Sequence, residues 1–419
     1  MKKYLLPLAL FLAAAPAFAQ QRTCGTPILP LEYEDWIQQK IAERFADPNS
    51  PQATYTIPCI VHIINNGESV GSGSNISQTQ VNSQFDVLNE DYNKTNPDFA
   101  TVCPSVFQSV AANCQITWCK ALRDPNGNTL SEPGIDRINR NTMGWSAPPY
   151  SQSYIDATIK PASIWDPTRY CNIWVCNLGN QLLGYATFPS NSTLAGLFGP
   201  YGTATTDGVV ILYNAFGRVG NVASPYNKGR SATHELGHWL GLRHIWGDAT
   251  CGNDYCADTP TQNGPNYAGC PSFPSVTCTN GPNGDMWVNY MDYVTDACMV
   301  MFTNNQKTRM QTAMQHGTYR LPLQSSFVCS PLSTGDIDAH HKFDLYPNPT
   351  AGRITIDPLD MGGELTVKVY DIVGNLVKEM KMENNAKFEV DLTDKQNGAY
   401  FIELSNSAGR VTQKFNLVK

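Results

Sequence analysis

Four side chains in one short stretch have the types and spacing to do chemistry together. They are His234, Glu235, His238 and His244, within His234-Glu235-Leu236-Gly237-His238-Trp239-Leu240-Gly241-Leu242-Arg243-His244. On a helix, positions four apart are about 400° apart in rotation, so His234 and His238 share a face and can share a metal ion. Glu235 lies about 100° round from His234, where its carboxylate can reach a water on that ion without ligating the ion itself. His244 would point away on a continued helix. A third ligand there requires the helix to stop, and Gly241 suits the stop because glycine adopts positive φ at little cost. Three neutral imidazoles plus one open position describe a catalytic zinc site, whereas a structural site is closed by a fourth protein ligand. The short pattern H-E-x-x-H is weak, but the full H-E-x-x-H-x-x-G-x-x-H is restrictive and complete here. His62, in the apolar run Ile60 to Ile64, reads as a core histidine instead.

The elements that must position these groups belong to a chain of 419 residues, long for one domain and expected to form two or three. The formal net charge of −7 is spread without acidic or basic blocks, which excludes nucleic acid or an anionic membrane surface as an expected partner. Residues 1–19 have the layout of a secretory signal: Lys2 and Lys3, an apolar stretch from Leu5 to Ala15, then Ala17-Phe18-Ala19. No later run of about 20 apolar residues offers a transmembrane segment, so the expectation is an exported protein. Export makes the 13 cysteines readable as disulfide partners, and their odd number leaves at least one thiol with another fate.

Residues 20–53 are Pro-punctuated, with one helical stretch from Leu31 to Phe45, and are too short to fold alone. Arg22-Thr23-Cys24-Gly25-Thr26 places a cysteine there. Its thiolate would make a fourth zinc ligand that displaces the catalytic water, giving a latent precursor. The alternative is that Cys24 pairs with another cysteine. From residue 54 the pattern turns to strands at Tyr55–Asn65, Gln115–Lys120, Cys171–Cys176 continuing toward Leu183–Phe188, and Asp207–Tyr213. A helix capped by Ser77 runs through Asn89. Strands separated by a helix and followed by the zinc helix predict a mixed α/β (α+β) layer beneath a cleft. The loop after His244 has almost no periodic apolar pattern and needs staples, which Cys251, Cys256, Cys270, Cys278 and Cys298 can provide. Asp248, Asp254 and Asp258 in the same loop suit either calcium chemistry or plain turn formation.

Asn289-Tyr290-Met291-Asp292-Tyr293 follows the zinc motif some tens of residues downstream. This combination resembles the metzincin clan of metallopeptidases. His-Trp-Leu-Gly-Leu-x-His, Asp258-Thr259-Pro260, Asn172-Ile-Trp-Val-Cys-Asn-Leu and Gly184-Tyr-Ala resemble the pappalysin family within that clan, over roughly residues 54–330. The resemblance implies that Met291 forms an apolar floor beneath the metal and that Tyr293 helps stabilise an oxyanion. It implies disulfides Cys251–Cys278 and Cys270–Cys298, and calcium held by Asp254 and the carbonyls of Cys256 and Thr259. It also makes Arg22-x-Cys24-Gly25 a cysteine switch. Several relatives cleave before arginine or lysine through an acidic residue at the floor of the primed-side pocket. Asp296 is the nearest acid, with Ala297 in the position immediately before Cys298.

After Cys329, residues 331–341 read as a linker, and residues 342–419 show alternating apolar positions between turn signals, as in a small all-β sandwich. Leu345-Tyr-Pro-Asn-Pro-Thr-Ala-Gly, Val369-Tyr-Asp-Ile-Val-Gly and Lys414-Phe-Asn-Leu-Val-Lys resemble the C-terminal sorting domain of Bacteroidetes type IX secretion. A carbohydrate-binding or adhesive sandwich is the alternative. The expected organisation is therefore a signal peptide (1–19), an inhibitory pro-segment (20–53), a catalytic domain (54–330), a linker and a sorting domain. The expected function is hydrolysis of peptide bonds in proteins, with Glu235 as general base and then acid, outside the cell or at its surface. A catalytically inactive, zinc-stabilised adhesin is the rival from another class.

Overall fold

The strand Tyr55–Asn65 (β1) is buried at every position except Thr56. A run that is apolar on both faces belongs inside a parallel sheet covered on both sides, and β1 pairs in parallel with three strands. One edge carries β2 (Ile116–Lys120) and then β3 (Ile135–Asn139), and the other carries β4 (Cys171–Cys176). The sheet ends in β5 (Gly184–Ala186), antiparallel to β6 (Val209–Leu212), which itself pairs in parallel with β4. The result is a six-stranded mixed sheet with β5 at one edge. The computed structural model describes residues 21–46, 54–190, 201–330, 343–358, 364–382, 386–406 and 409–419. The proposed signal at 1–19, the end of the pro-segment at 47–53 and the linker at 331–341 lie outside them.

Four helices matter for the site. Leu31–Ala46 (α1) lies in the expected pro-segment, at 20–53. Gln78–Tyr92 (α2) starts where Ser77 accepts a hydrogen bond from the Gln80 amide, and it runs three residues past the expected end at Asn89. Arg230–Trp239 (α3) carries His234 and His238 and is buried along its whole length. Asn304–His316 (α4) begins with a capping box between Thr303 and Gln306. Neither β3 nor α4 was expected. Only Ile135 of β3 is fully buried, and α4 buries Met310, Ala313 and Met314 behind a face too polar for a clear apolar period.

Three disulfides staple this unit: Cys119–Cys329, Cys251–Cys278 and Cys270–Cys298. The last two are the pairs the resemblance implied. The reading of the cysteines as broadly disulfide-forming needs correction, because seven are thiols and six of those are buried. Cys59, Cys103, Cys114 and Cys171 belong to the main apolar core, where cysteine serves as a small hydrophobe. His62 is a core histidine as expected, stacked on Trp174 and held by Asp136 and Asn172.

The chain divides into two compact units, residues 1–330 and 331–419. The second has a four-stranded antiparallel sheet, β9 (Leu365–Asp371), β10 (Leu376–Met382), β12 (Gly398–Asn406) and β13 (Gly409–Leu417), in the order β10-β9-β12-β13. A three-stranded sheet comprises β7 (Asp344–Tyr346), β8 (Arg353–Asp357) and β11 (Phe388–Asp391). Alternating residues such as Ile354, Ile356, Leu365, Val367 and Val369 form their common core.

Candidate metal centre and the segment that crosses it

The helix α3 ends where the sequence requires. Gly241 has φ +92°, the Leu242 amide returns to the Gly237 carbonyl at 2.9 Å, and the chain turns so that His244 faces back toward its two predecessors. The Nε2 atoms of His234 and His238 lie 3.2 Å apart, and those of His238 and His244 3.1 Å apart. Every Nδ1 is already committed: that of His234 to the Tyr290 carbonyl at 2.7 Å, that of His238 to the Leu242 carbonyl at 2.8 Å, and that of His244 to Asp248. These acceptors fix the tautomers, leaving three Nε2 lone pairs pointed at one another. Such an arrangement is repulsive unless a cation lies between them. A tetrahedral ion with bonds of about 2.0–2.1 Å sets its ligand atoms about 3.3 Å apart, so the donor set fits zinc. Burial together with the neighbouring imidazoles pushes His234 well below its ordinary pKa, and His238 to about 3.

Beneath the helix, Met291 is fully buried against Gly237, where a Cβ would come within 2.6 Å of the Met291 sulfur. Tyr293 reaches the same centre, its hydroxyl 3.1 Å from His244 Nε2. Burial, followed by the proximity of Cys24 and Glu235, pushes its pKa strongly upward, so Tyr293 stays a neutral donor.

The segment around Cys24 crosses the centre in extended pairing with β5. Cys24 bridges Gly184 of β5 in the parallel sense, with Gly25 N to Gly184 O at 2.9 Å and Leu183 N to Thr23 O at 3.0 Å. The Cys24 sulfur and the three imidazoles form one group of donor atoms, all within 4.8 Å of one another. Cys24 is not disulfide-bonded. Its thiol and the Thr26 hydroxyl both donate to Glu235 Oε2, at 3.2 and 3.0 Å, and the Ala186 amide donates to the same Thr26 hydroxyl at 2.8 Å. The segment therefore meets both the metal position and the carboxylate beside it. Burial pushes Glu235 up to about 7, against the lowering effect of Cys24, Thr26 and Arg22.

On the other side of Cys24, Arg22 enters a buried pocket. It donates to Asp296 at 2.5 Å, to the Val294 carbonyl at 3.2 Å and to Ser231 at 3.3 Å, with its guanidinium over Tyr226. Asp296 also accepts from the backbone amides of Lys228 and Arg230. The candidate acid Asp296 is thus the anion that receives Arg22.

The three loop aspartates do not gather. Asp248 orients His244, and Asp258 accepts from Thr303 and Asn305 at the start of α4. Asp254 is different: Oδ1 accepts from Cys256 N and Thr259, while Oδ2 is buried without a partner. Burial pushes its pKa to about 7. An orphaned carboxylate oxygen is the donor type a calcium ion takes.

Sequence reasoning missed the supports. Asp91 of α2 accepts from Thr233 at 2.8 Å and Tyr290 at 2.6 Å, tying the zinc helix to the methionine turn. Asp207 accepts from Trp239 and Arg320 at the far end of α3. Neither acid stands near the motif in sequence, so no spacing could have revealed them.

Residues 153–315 match the family described as pregnancy-associated plasma protein-A, and residues 344–418 match the secretion system C-terminal sorting domain. An extracellular metalloprotease of Colletotrichum graminicola is 32% identical over 309 residues, covering 72% of this chain and 93% of that one. Mature mirolysin of Tannerella forsythia, solved with a cleaved peptide, is 43% identical with a TM-score of 0.57, covering 67% of this chain and all of its own. A promirolysin variant from the same organism is 42% identical with a TM-score of 0.62, covering 74% of this chain and all of its own.

Proposed function

From the premise that the chain belongs to the pregnancy-associated plasma protein-A family of metallopeptidases, we propose how this secreted, latent zinc endopeptidase divides its work among residues. His234, His238 and His244 hold the zinc ion, and Cys24 completes the set in the precursor. The observation that carries this is the convergence of three Nε2 atoms whose Nδ1 protons are all engaged elsewhere. When bound, the ion supplies a Lewis acid that lowers the pKa of its water far below that of bulk water, toward about 7.

Glu235 takes the proton from the attacking water and returns it to the leaving amine. Its contacts with Cys24 and Thr26 occupy that carboxylate in the precursor, so latency acts on the base as well as on the metal. Tyr293, a neutral donor beside His244, donates a hydrogen bond to the oxygen on which negative charge develops. The edge strand β5 receives an extended peptide by backbone pairing. Asp296 takes a basic side chain after the cut, a reading supported by the way Arg22 fills its pocket.

In this reading residues 1–19 direct export, 20–53 inhibit until removed, 54–330 catalyse, and 331–341 link to the sorting domain at 342–419, which engages the type IX machinery. Calcium at Asp254 stiffens the loop after His244. The test is digestion of a proteome-derived peptide mixture by enzyme activated from the full-length precursor, read by mass spectrometry beside Glu235→Ala and chelator controls. Cleavage that requires both zinc and Glu235, with arginine or lysine after the cut, is expected. Near-normal turnover by Glu235→Ala would sink the role assignment.

A further inference from the structure

The helix α1 buries an acid against the zinc loop. Glu34, 1% exposed, accepts from Arg243 Nε at 2.7 Å and from Arg309 Nη1 at 2.6 Å and Nη2 at 2.5 Å. Both guanidiniums are themselves tied to backbone: Arg309 Nε to the Gly241 carbonyl, and Arg243 Nη2 to the Leu29 carbonyl at 2.7 Å. Two fully charged groups thus converge on one carboxylate, immediately beside the third zinc ligand. Around them, Leu29, Tyr33, Trp36 and Ile37 of the pro-segment pack on Phe188, with Tyr201 alongside. Phe188 follows β5 and lies 5.6 Å, ring to ring, from His238.

Removing the pro-segment takes away Glu34, the Leu29 carbonyl and the apolar cover together. What remains is an aromatic wall and two guanidiniums held by the zinc loop, at the end of the edge strand along which a polypeptide lies. Of the nearby acids, Asp258 is held by Thr303 and Asn305, and Asp254 spends one carboxylate oxygen on Thr259 and Cys256. Uncovered, the two guanidiniums have lost their shared anion, and a carboxylate with its forked geometry is the group that matches them.

We propose that Arg243 and Arg309 form a carboxylate-binding subsite of the mature enzyme, which takes an acidic side chain of the polypeptide substrate and which Glu34 fills in the precursor. The inference rests on the reading that residues 20–53 leave on activation. Its direction follows from the pocket at Asp296. If that pocket takes the residue after the cut, Arg22 and Glu34 lie on opposite sides of Cys24, and the subsite receives an acid upstream of the cut.

Two measurements on mature enzyme released from the full-length precursor test this. First, a labelled peptide of residues 27–46, which lacks Arg22 and Cys24, is titrated onto the Glu235→Ala enzyme by anisotropy, beside the same peptide carrying Glu34→Gln. The wild-type peptide should bind at least about tenfold tighter, as expected for charge-assisted hydrogen bonds. Second, fluorogenic peptides with arginine after the cut carry Glu or Gln at successive upstream positions. One window should show about tenfold higher kcat/KM with Glu. Equal affinity of the two peptides, binding of neither, or a flat scan overturns the proposal. Absence of any cleavage refutes the peptidase reading instead, and the anisotropy pair still decides the subsite.

Discussion

Arg22 and Asp296 meet at 2.5 Å with side chains only 2% and 0% exposed, although 274 residues separate them in the chain. A buried pair of this kind is strongly destabilised when one partner is removed, because the other charge is left without compensation. Here the loss is unequal. Asp296 without Arg22 keeps two backbone amide donors, whereas Arg22 without Asp296 keeps only the Val294 carbonyl and the Ser231 hydroxyl. Asp296→Asn in the mature enzyme should therefore reduce kcat/KM for substrates with arginine after the cut by about 10²-fold, in line with about 3 kcal/mol for a buried charged contact. Substrates with a neutral residue there should change little. Retention of the arginine preference would place the specificity elsewhere.

Cys24 faces both the histidines and Glu235, whereas Thr26 holds Glu235 alone. Replacing Cys24 with alanine should open the metal position without freeing the cleft, since the strand pairing with β5 and the Arg22 contact persist. The intact Cys24→Ala precursor is thus expected to turn over a small fluorogenic peptide measurably but well below the mature rate, while the wild-type precursor stays silent. Uncleaved precursor can be followed by gel during the assay. Complete silence of the intact variant would show that Cys24 is dispensable for latency.

The zinc helix depends on Asp91 in a way that carries a pH signature. Burial raises this carboxyl from its ordinary 3.8 to about 6, against Arg230 and hydrogen bonds from Tyr290 and Thr233, and with Asp98 pushing the same way as burial. A folded pKa above the unfolded one favours the protonated native state. That contribution is fully present below about pH 4 and is lost as pH rises through about 6, an amount on the order of 3 kcal/mol. Denaturant unfolding of metal-free wild-type and Asp91→Asn precursors across pH 4 to 7 should show the wild type losing about that much relative to the variant. Parallel curves would mean that Asp91 remains ionised throughout.

What the sequence revealed and what it hid divide along chain distance. The ligands, Glu235 and the stop at Gly241 lie on one local segment, where helical geometry alone converts spacing into a site. The strand β1 was readable because an apolar run buried on both faces has few other destinations. By contrast, Glu34 lies 209 residues from Arg243 and 275 from Arg309, and Asp91 lies 199 from Tyr290. Such partners meet only through the fold. Proximity in sequence also misled: Asp248, Asp254 and Asp258 look like one acidic cluster, yet they serve His244, the loop and α4 separately. The cysteines misled for a related reason, since apolar burial and disulfide formation both favour the same residue.

The orphaned Oδ2 of Asp254 supplies the last test. A buried carboxylate oxygen without a donor is unfavourable at neutral pH, and its pKa is pushed up to about 7 chiefly by burial. A calcium ion bound there would remove that penalty and bind only the folded loop. At free calcium a hundredfold above Kd the linkage contributes about 2.7 kcal/mol, enough to raise Tm by about 4–5 °C. Thermal unfolding of the zinc-loaded enzyme in calcium-free and calcium-containing buffer should show this rise, and Asp254→Asn should abolish most of it. Because Asp254 lies in the loop that follows His244 and is stapled by Cys251–Cys278, resistance of that loop to proteolysis should follow the same calcium dependence. An unchanged Tm with and without calcium in the wild type would remove the ion from this loop and leave the Asp254 carboxyl protonated as the alternative.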